Sequence, residues 1–196
     1  MFGKNRQINL FREMRIDSFL NEKERDIQNK IGRYSETTLT SLDLQTEIKN
    51  LIEEANLIVP KLQKENTKTS IITEQMNGRQ LPSGTRFTPG KIYDIEIANY
   101  TIPFTGNAEF LKCSPSRHQN SRPLTVERHK NSLTIKLTNW IAGISGNDKA
   151  IEMLKKELIS NVENIENILN LLESEIVQYL PVLEKRIEAE LSRLIK

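Results

Sequence analysis

Few side chains in this chain have the chemical types needed for metal binding or nucleophilic catalysis. The 196 residues include two histidines, His118 and His129, and one cysteine, Cys113. Zinc sites use such ligands at short characteristic spacings, which these three residues do not have. Cys113 alternates with Leu111 and Glu109 in a predicted strand, so we expect a small buried side chain rather than a nucleophile. We therefore expect no metal site.

A pair of carboxylates, Asp94 and Glu96, lies on one face of a predicted strand, and Glu109 follows. Paired carboxylates near a strand are typical of metal-dependent nucleases, but no lysine follows at the spacing that those sites need. We interpret the pair as an exposed strand face. Gly143 and Gly146 belong to a linker, and no glycine-rich phosphate loop is present in the sequence. We therefore expect no cofactor, no small-molecule substrate and no catalytic residue, so the chain is predicted not to be an enzyme.

Basic residues are concentrated in the middle of the chain. Residues 79–146 contain nine Lys or Arg against four Asp or Glu, whereas residues 147–196 contain seven against ten. Basic side chains on a sheet are typical of an ordinary solvated surface, and they also favour contact with nucleic-acid phosphates. Nucleic-acid binding is therefore one alternative function, and its candidate contacts are Arg117, Arg122, Arg128, Lys130 and Lys136.

The overall composition is typical of a fairly polar, folded protein. Hydrophobic residues make up 37% and charged residues 28% of the chain, with a formal net charge of +2. No apolar run approaches the length of a membrane span, and the N-terminus lacks the apolar segment of a secretory signal. A single cysteine suits a reducing compartment. We expect a cytoplasmic protein without membrane contact, built as a single module over residues 1–196.

The first 66 residues are predicted to be helical. Ile8, Phe11, Leu20, Ile27 and Ile31 recur at near-helical spacing, which predicts a helix over residues 8–33. A second helix is expected to begin near Ser41, with Thr40 as its N-cap, and to bury one face. Pro60 is expected to end that pattern.

Residues 67–140 are predicted to be rich in β-strands. Thr69–Thr73 is β-branched, Tyr93, Ile95 and Ile97 alternate with acidic residues, and Leu124–Val126 with Leu133–Leu137 reads as a hairpin. Pro103 lacks an amide hydrogen, so we expect an edge, a bulge or a strand end there. The predicted fold class is α+β, with a small, mainly antiparallel sheet of four to six strands between N-terminal helices and a long C-terminal helix.

Residues 147–196 are predicted to form a long amphipathic helix. Apolar residues recur every three or four positions from Ile151 to Leu194. Pro181 interrupts this pattern, so we expect either a kink or two helices joined by a corner. The apolar stripe is the candidate face for a partner helix, represented by Leu158, Val162, Ile165, Leu169, Leu172 and Ile176.

The central block IPFTGNAEFLKCSPS, Ile102–Ser116, is more distinctive than a generic β-hairpin sequence. Together with the Leu124–Leu137 hairpin, the proline-interrupted helix and the stretch RDIQNKIGRYS around Glu24–Tyr34, it resembles the N-terminal region of a group of bacterial proteins. In that group a helix–sheet–helix module precedes a restriction-endonuclease-like domain of the PD-(D/E)XK type. The matching positions within the block and near the end are Pro103, Phe104, Gly106, Phe110, Pro115, Ser116 and Ile187–Ala189.

The resemblance implies an association with a nuclease and a role in bacterial defence, without a catalytic residue in this chain. The relatives continue beyond the position of Lys196, so the glutamate–lysine strand motif of the nuclease is absent here. The polar tract from Arg117 to Pro123 is also longer than the family pattern. We therefore expect a non-catalytic interaction or oligomerisation module with a protein partner or a second copy, acting with a nuclease-type effector.

Overall fold

A computed structural model describes residues 6–82, 87–117, 123–141 and 143–195. The protein has the predicted α+β fold, with helices on both sides of a strand-rich middle in sequence. In chain order the helices and strands are β1 (Arg6–Asn9), β2 (Met14–Arg15), α1 (Ile16–Ile31), α2 (Glu36–Thr40), α3 (Leu44–Ala55), β3 (Lys61–Leu62), β4 (Lys68–Asn77), β5 (Ile92–Thr105), β6 (Cys113–Ser114), β7 (Thr125–Arg128), β8 (Ser132–Leu137) and α4 (Asp148–Ile195).

The chain divides into two compact units, whereas the sequence predicted one module. The first unit consists of Met1–Asn9, Lys61–Thr105 and Pro123–Glu166, and the second of Leu10–Pro60, Gly106–Arg122 and Asn167–Lys196. Each unit is therefore assembled from three separate stretches of sequence.

The first unit is built on a six-stranded antiparallel sheet, which confirms the predicted sheet type. Its order is β1-β7-β8-β5-β3, and β4 pairs with β5. In the centre, Tyr100 lies opposite Ile135 and Ile102 opposite Leu133. These four side chains are buried, because the apolar face of the sheet forms the core of this unit.

The first strand replaces the beginning of the helix predicted over residues 8–33. Ile8 is buried and lies opposite Val126 in the β1–β7 pair. Phe11 has a φ angle of 58°, in the left-handed region, which interrupts any helical path before α1 begins at Ile16. The spacing of Ile8 and Phe11 fits a helix by coincidence, and the partner strand that decides the matter is more than 100 residues away.

The second unit packs α1 and α3 with a short parallel pair, β2 and β6. The Phe19 and Phe110 rings meet edge to face with centroids 4.9 Å apart. Helix α3 is capped by Asp43, whose carboxylate accepts the Thr46 N–H at 2.8 Å, so the prediction of Thr40 as the cap was wrong. The left-handed residue Asn56 ends this helix before Pro60 is reached.

Residues 108–112 form a 3-10 helix, so the prediction that Glu109 and Leu111 lie in a strand with Cys113 was wrong. The side chain of Asn107 starts this turn by accepting the Glu109 N–H at 3.0 Å. Phe110 and Leu111 are both fully buried, which a strand with one solvated face would not allow. Only Cys113 and Ser114 continue as strand, paired with Met14 and Arg15.

Helix α4 begins as predicted and does not stop at Pro181. Asn147 accepts the Ala150 N–H at 3.1 Å, which caps the helix start. Pro181 lies inside the helix, so the alternative of two helices joined by a corner was wrong. Asp148–Glu166 belongs to the first unit and the rest of α4 to the second.

Candidate functional site

Lys136, one of the basic residues predicted to contact nucleic acid, is already paired with two carboxylates. Lys136 in β8 pairs with Glu127 at 2.8 Å and with Glu74 at 3.5 Å. The hydrogen bond to Glu127 is the main cause of the raised pKa of Lys136. The positive charge of Lys136 is therefore already balanced by two carboxylates within the sheet.

Of the other four basic candidates, three lie in the described parts of the chain. Arg128 is half-buried in β7, and Lys130 is exposed in the turn that leads to β8. Arg117 is exposed but belongs to the second unit, and Arg122 lies outside the described residues. The structure thus brings Arg128, Lys130 and Lys136 together on one hairpin.

The predicted partner-helix face lies inside the chain. Leu158 is half-buried. The other five members are buried, with no more than 7% of the surface of any one exposed; they are Val162, Ile165, Leu169, Leu172 and Ile176. Burial of these side chains within the chain stabilises the fold, so they are not a free surface for another protein. The prediction was right about an apolar stripe and wrong about what covers it.

Strand β4 provides a surface that the sequence patterns did not predict. Its ten residues, Lys68–Asn77, pair with Ile92–Thr101 of β5 along their whole length. Within the described residues no strand pairs with the other side of β4. An edge strand of this kind presents a row of unpaired backbone N–H and C=O groups, which makes it a template for another strand.

Both faces of β4 are accessible near its centre. Ile71 is 44% exposed and Ile72 is 36% exposed. Because the side chains of neighbouring strand residues point to opposite faces, one of these isoleucines is accessible on each face of the sheet. Thr69–Thr73 was predicted as a strand from its β-branched residues, but its position at the edge was not predicted. The sequence signal for an edge position is that apolar and polar residues do not alternate along this strand. Ile71 and Ile72 are adjacent, Lys68 and Glu74 lie on either side of them, and neither face of the strand is continuously apolar.

A groove lies beside this edge, between the sheet and the first part of α4. Its volume is about 420 Å³, and all of the residues that line it belong to the first unit. Thr69, Tyr100 and Ile102 form the sheet side, and Leu158 and Ile159 form part of the helix side. Because Ile71 is two residues from Thr69, it lies on the same face of the sheet as this groove.

One ion pair and two further charged side chains lie at the margin of the groove. Lys64 lines it and donates to Glu166 at 2.9 Å, while Lys155 and Glu163 lie on the helix side. Ile159 is 56% exposed, so the apolar surface of the groove continues toward solvent. The lining is predominantly apolar with charged groups at its margin, an arrangement that suits contact with another apolar surface.

The residues considered for catalysis have structural roles. The Cys113 thiol is fully buried, and this burial raises its pKa to about 12, so the reactive thiolate is strongly disfavoured. Glu96 accepts the backbone N–H groups of Ile144 and Ser145 and thereby holds the segment before α4. His129 shares a 3.1 Å hydrogen bond with the Thr134 hydroxyl, and His118 lies outside the described residues.

Within residues 6–82, 87–117, 123–141 and 143–195, no three His, Cys, Asp or Glu side chains are grouped as metal ligands. Among the helices described there, none has the length and apolar character needed to cross a bilayer. Comparison with known proteins yields no matching family model, curated sequence or solved structure.

Proposed function

We propose that this chain is a non-catalytic interaction and oligomerisation module that orients a restriction-endonuclease-like effector. The observation that carries the proposal is the open edge of β4, ten residues long, with Ile71 and Ile72 exposed on opposite faces. Natural sheets usually protect such an edge with short strands, charged side chains, prolines or bulges. This strand is long and contains no proline, so its edge is suited to pairing with another polypeptide.

The positions of the polar residues support a structural role over a catalytic one. The Glu96 carboxylate is occupied by backbone N–H groups, and Lys136 is occupied by Glu74 and Glu127. The one cysteine is buried where its nucleophilic form is disfavoured. Groups that already hold the fold together are not free to bind and transform a substrate.

The nuclease-type effector enters this proposal through the resemblance of Ile102–Ser116. In this proposal the effector domain lies either in a longer relative of the chain or in the product of a neighbouring gene. The proposed setting is the cytoplasm, where the lone Cys113 thiol stays reduced. Oligomerisation would set the spacing between effector domains, which is useful for enzymes that cut both strands of a duplex.

The proposal is tested by measuring molar mass and complex formation with light scattering after size-exclusion chromatography. One monomer has a mass of 22.6 kDa, so a dimer elutes with twice that mass. The chain alone is measured up to about 100 µM, and then with the purified product of any neighbouring gene that encodes a restriction-endonuclease-like domain; micromolar affinity would be visible at that concentration. We expect self-association, a defined complex, or both.

An exposed isoleucine outside the sheet provides a matched control. Ile71→Lys places a charge on the edge strand, whereas Ile141→Lys changes a residue of the same unit that is 80% exposed and lies outside the strands. We expect only Ile71→Lys to weaken association. A wild-type chain that is strictly monomeric over this range and forms no complex with the nuclease would refute the proposed function.

A further inference from the structure

We infer that the occupant of the open β4 edge is the β4 strand of a second copy of this chain, paired antiparallel about a two-fold axis at Ile71. This inference rests on the proposed function and specifies its partner. A two-fold interface brings the same patch of both copies together, so the patch must be complementary to itself. The sequence of β4 satisfies that condition.

The charges of β4 are complementary in one antiparallel register. With Ile71 opposite Ile71 of the second copy, Lys68 lies opposite Glu74 and Thr69 opposite Thr73, and each of these pairs occurs twice by symmetry. Opposite charges, Thr–Thr pairs and β-branched pairs are the cross-strand combinations that stabilise sheets. A shift of the register by one residue would place Lys68 opposite Gln75 and Thr69 opposite Glu74 and would lose both charge pairs.

The charged groups are accessible for this pairing. Lys68 is exposed, and within the described part of the chain it has no ion-pair partner. The Glu74 side chain is 39% exposed and lies 3.5 Å from Lys136, which leaves room for a second cation. Six strand positions separate Lys68 from Glu74, about 20 Å at 3.3 Å per residue, so the two cannot pair within one chain.

The apolar residues near the axis add a second contribution. Ile71, which is 44% exposed, would meet its counterpart directly across the new strand pair. Its face of the sheet also carries the groove that includes Thr69 and Ile159. Pairing would therefore bury exposed isoleucine and satisfy the backbone groups of both edges at once.

Charge reversal gives a test that depends on the register. Lys68→Glu places two glutamates opposite each other in both pairs of a homodimer, and Glu74→Lys places two lysines there. We expect each variant alone to dimerise about tenfold more weakly or worse, since two attractive pairs become repulsive. An equimolar mixture should recover the dimer, because every pair in the heterodimer again joins a lysine to a glutamate.

Two matched controls separate this effect from a general charge effect. Lys156 and Glu152 form an exposed pair on α4 at 2.8 Å, so Lys156→Glu and Glu152→Lys make the same charge changes away from the strand. We expect no loss of dimer in either control and no gain on mixing. Circular dichroism of every variant checks that the fold is retained.

Cysteine cross-linking measures the register directly. Ile71→Cys should form an intermolecular disulfide under mild oxidation, because directly opposed residues have Cα atoms about 4.5 to 5.5 Å apart. Thr73→Cys should not, since the two copies of residue 73 would be separated by about 13 Å along the strands. Two results together would overturn the inference but leave the proposed function intact. In the first, the wild type dimerises and both charge variants dimerise with the same affinity. In the second, Ile71→Cys forms the intermolecular disulfide no more readily than Thr73→Cys. A monomer that still binds the nuclease would also overturn the inference and leave the proposed function intact.

Discussion

The carboxylate of Glu96 accepts the backbone N–H of Ser145 at 3.0 Å, although 49 positions of sequence separate the two residues. The same carboxylate also accepts the N–H of Ile144, so a single strand residue fixes the segment that precedes α4. These hydrogen bonds, led by those from Ser145, hold the pKa of Glu96 below its ordinary value. Glu96 thus contributes to folding through its ionised form.

Glu96→Gln should lower the free energy of unfolding at neutral pH and have a smaller effect in acid. Because the folded-state pKa is depressed, this stabilisation is complete above the ordinary pKa of 4.5 and is lost as the pH falls through the folded value. Urea unfolding followed by circular dichroism, at neutral pH and well below pH 4.5, measures the difference. Asp94→Asn, which changes an exposed carboxylate of the same strand, is the control. Equal effects of Glu96→Gln at both pH values would contradict this assignment.

Neighbouring leucines in α4 provide a test of the buried stripe. Leu172 is fully buried, whereas Leu171 is 46% exposed. Leu172→Ala should lower the free energy of unfolding by about 2–5 kcal/mol, and Leu171→Ala should change it by less than about 0.5 kcal/mol. Denaturant titration of both variants checks the prediction. Similar losses in the two variants would mean that the stripe is not oriented as described.

Two glycines with similar φ angles separate backbone strain from close packing. Gly106 and Gly90 have φ angles of 89° and 88°, but a Cβ at Gly106 would lie 2.8 Å from the Val59 carbonyl oxygen, whereas one at Gly90 would meet nothing within 4 Å. Gly90→Ala should lower the free energy of unfolding by about 1–2 kcal/mol, because alanine is strained in the left-handed conformation. Gly106→Ala should cost clearly more, as measured by thermal or urea unfolding. A smaller loss for Gly106→Ala would contradict the close approach.

Cys113 should be protected from thiol reagents in the folded chain. It is fully buried and its pKa is raised to about 12, chiefly by that burial, so both access and ionisation are disfavoured. Titration with a chromogenic disulfide reagent should detect one thiol per chain in denaturant and very slow reaction without it. Because the sequence contains a single cysteine, the signal is unambiguous. Native reaction as fast as that of an exposed thiol would show that this region opens.

The basic hairpin should not bind duplex DNA with a steep salt dependence. Lys136 is balanced by two carboxylates, so Lys130 is the exposed cation that remains to be tested there. Fluorescence anisotropy across a salt series should give the same weak binding for the wild type, Lys130→Glu and the distant control Lys156→Glu. Strong binding that falls with salt and is lost only in Lys130→Glu would favour the nucleic-acid alternative instead.

Local patterns were sufficient for the elements whose signal lies within a few residues. The repeat from Ile151 to Leu194 predicted α4, and the two β-branched segments around residues 129–132 predicted the β7–β8 hairpin. The patterns failed at Ile8, where pairing with Val126 outweighs helical spacing, and at Ala108–Lys112, where the Asn107 cap and two buried neighbours favour a 3-10 turn. Such competition involves distant partners and local caps that periodicity does not represent.

The sequence by itself determined the fold class, the amphipathic stripe of α4 and the scarcity of residues suited to catalysis, because composition and periodicity are properties of the chain alone. Only the tertiary structure decided that Val162, Ile165 and Leu172 are covered by the chain itself. It also decided that none of the described strands pairs with the second side of β4. Burial of an apolar residue is equally favourable against its own chain and against a partner, so the sequence pattern does not distinguish the two. Whether a strand lies at an edge depends on which other strands are already paired, and that is settled only when the whole sheet has assembled.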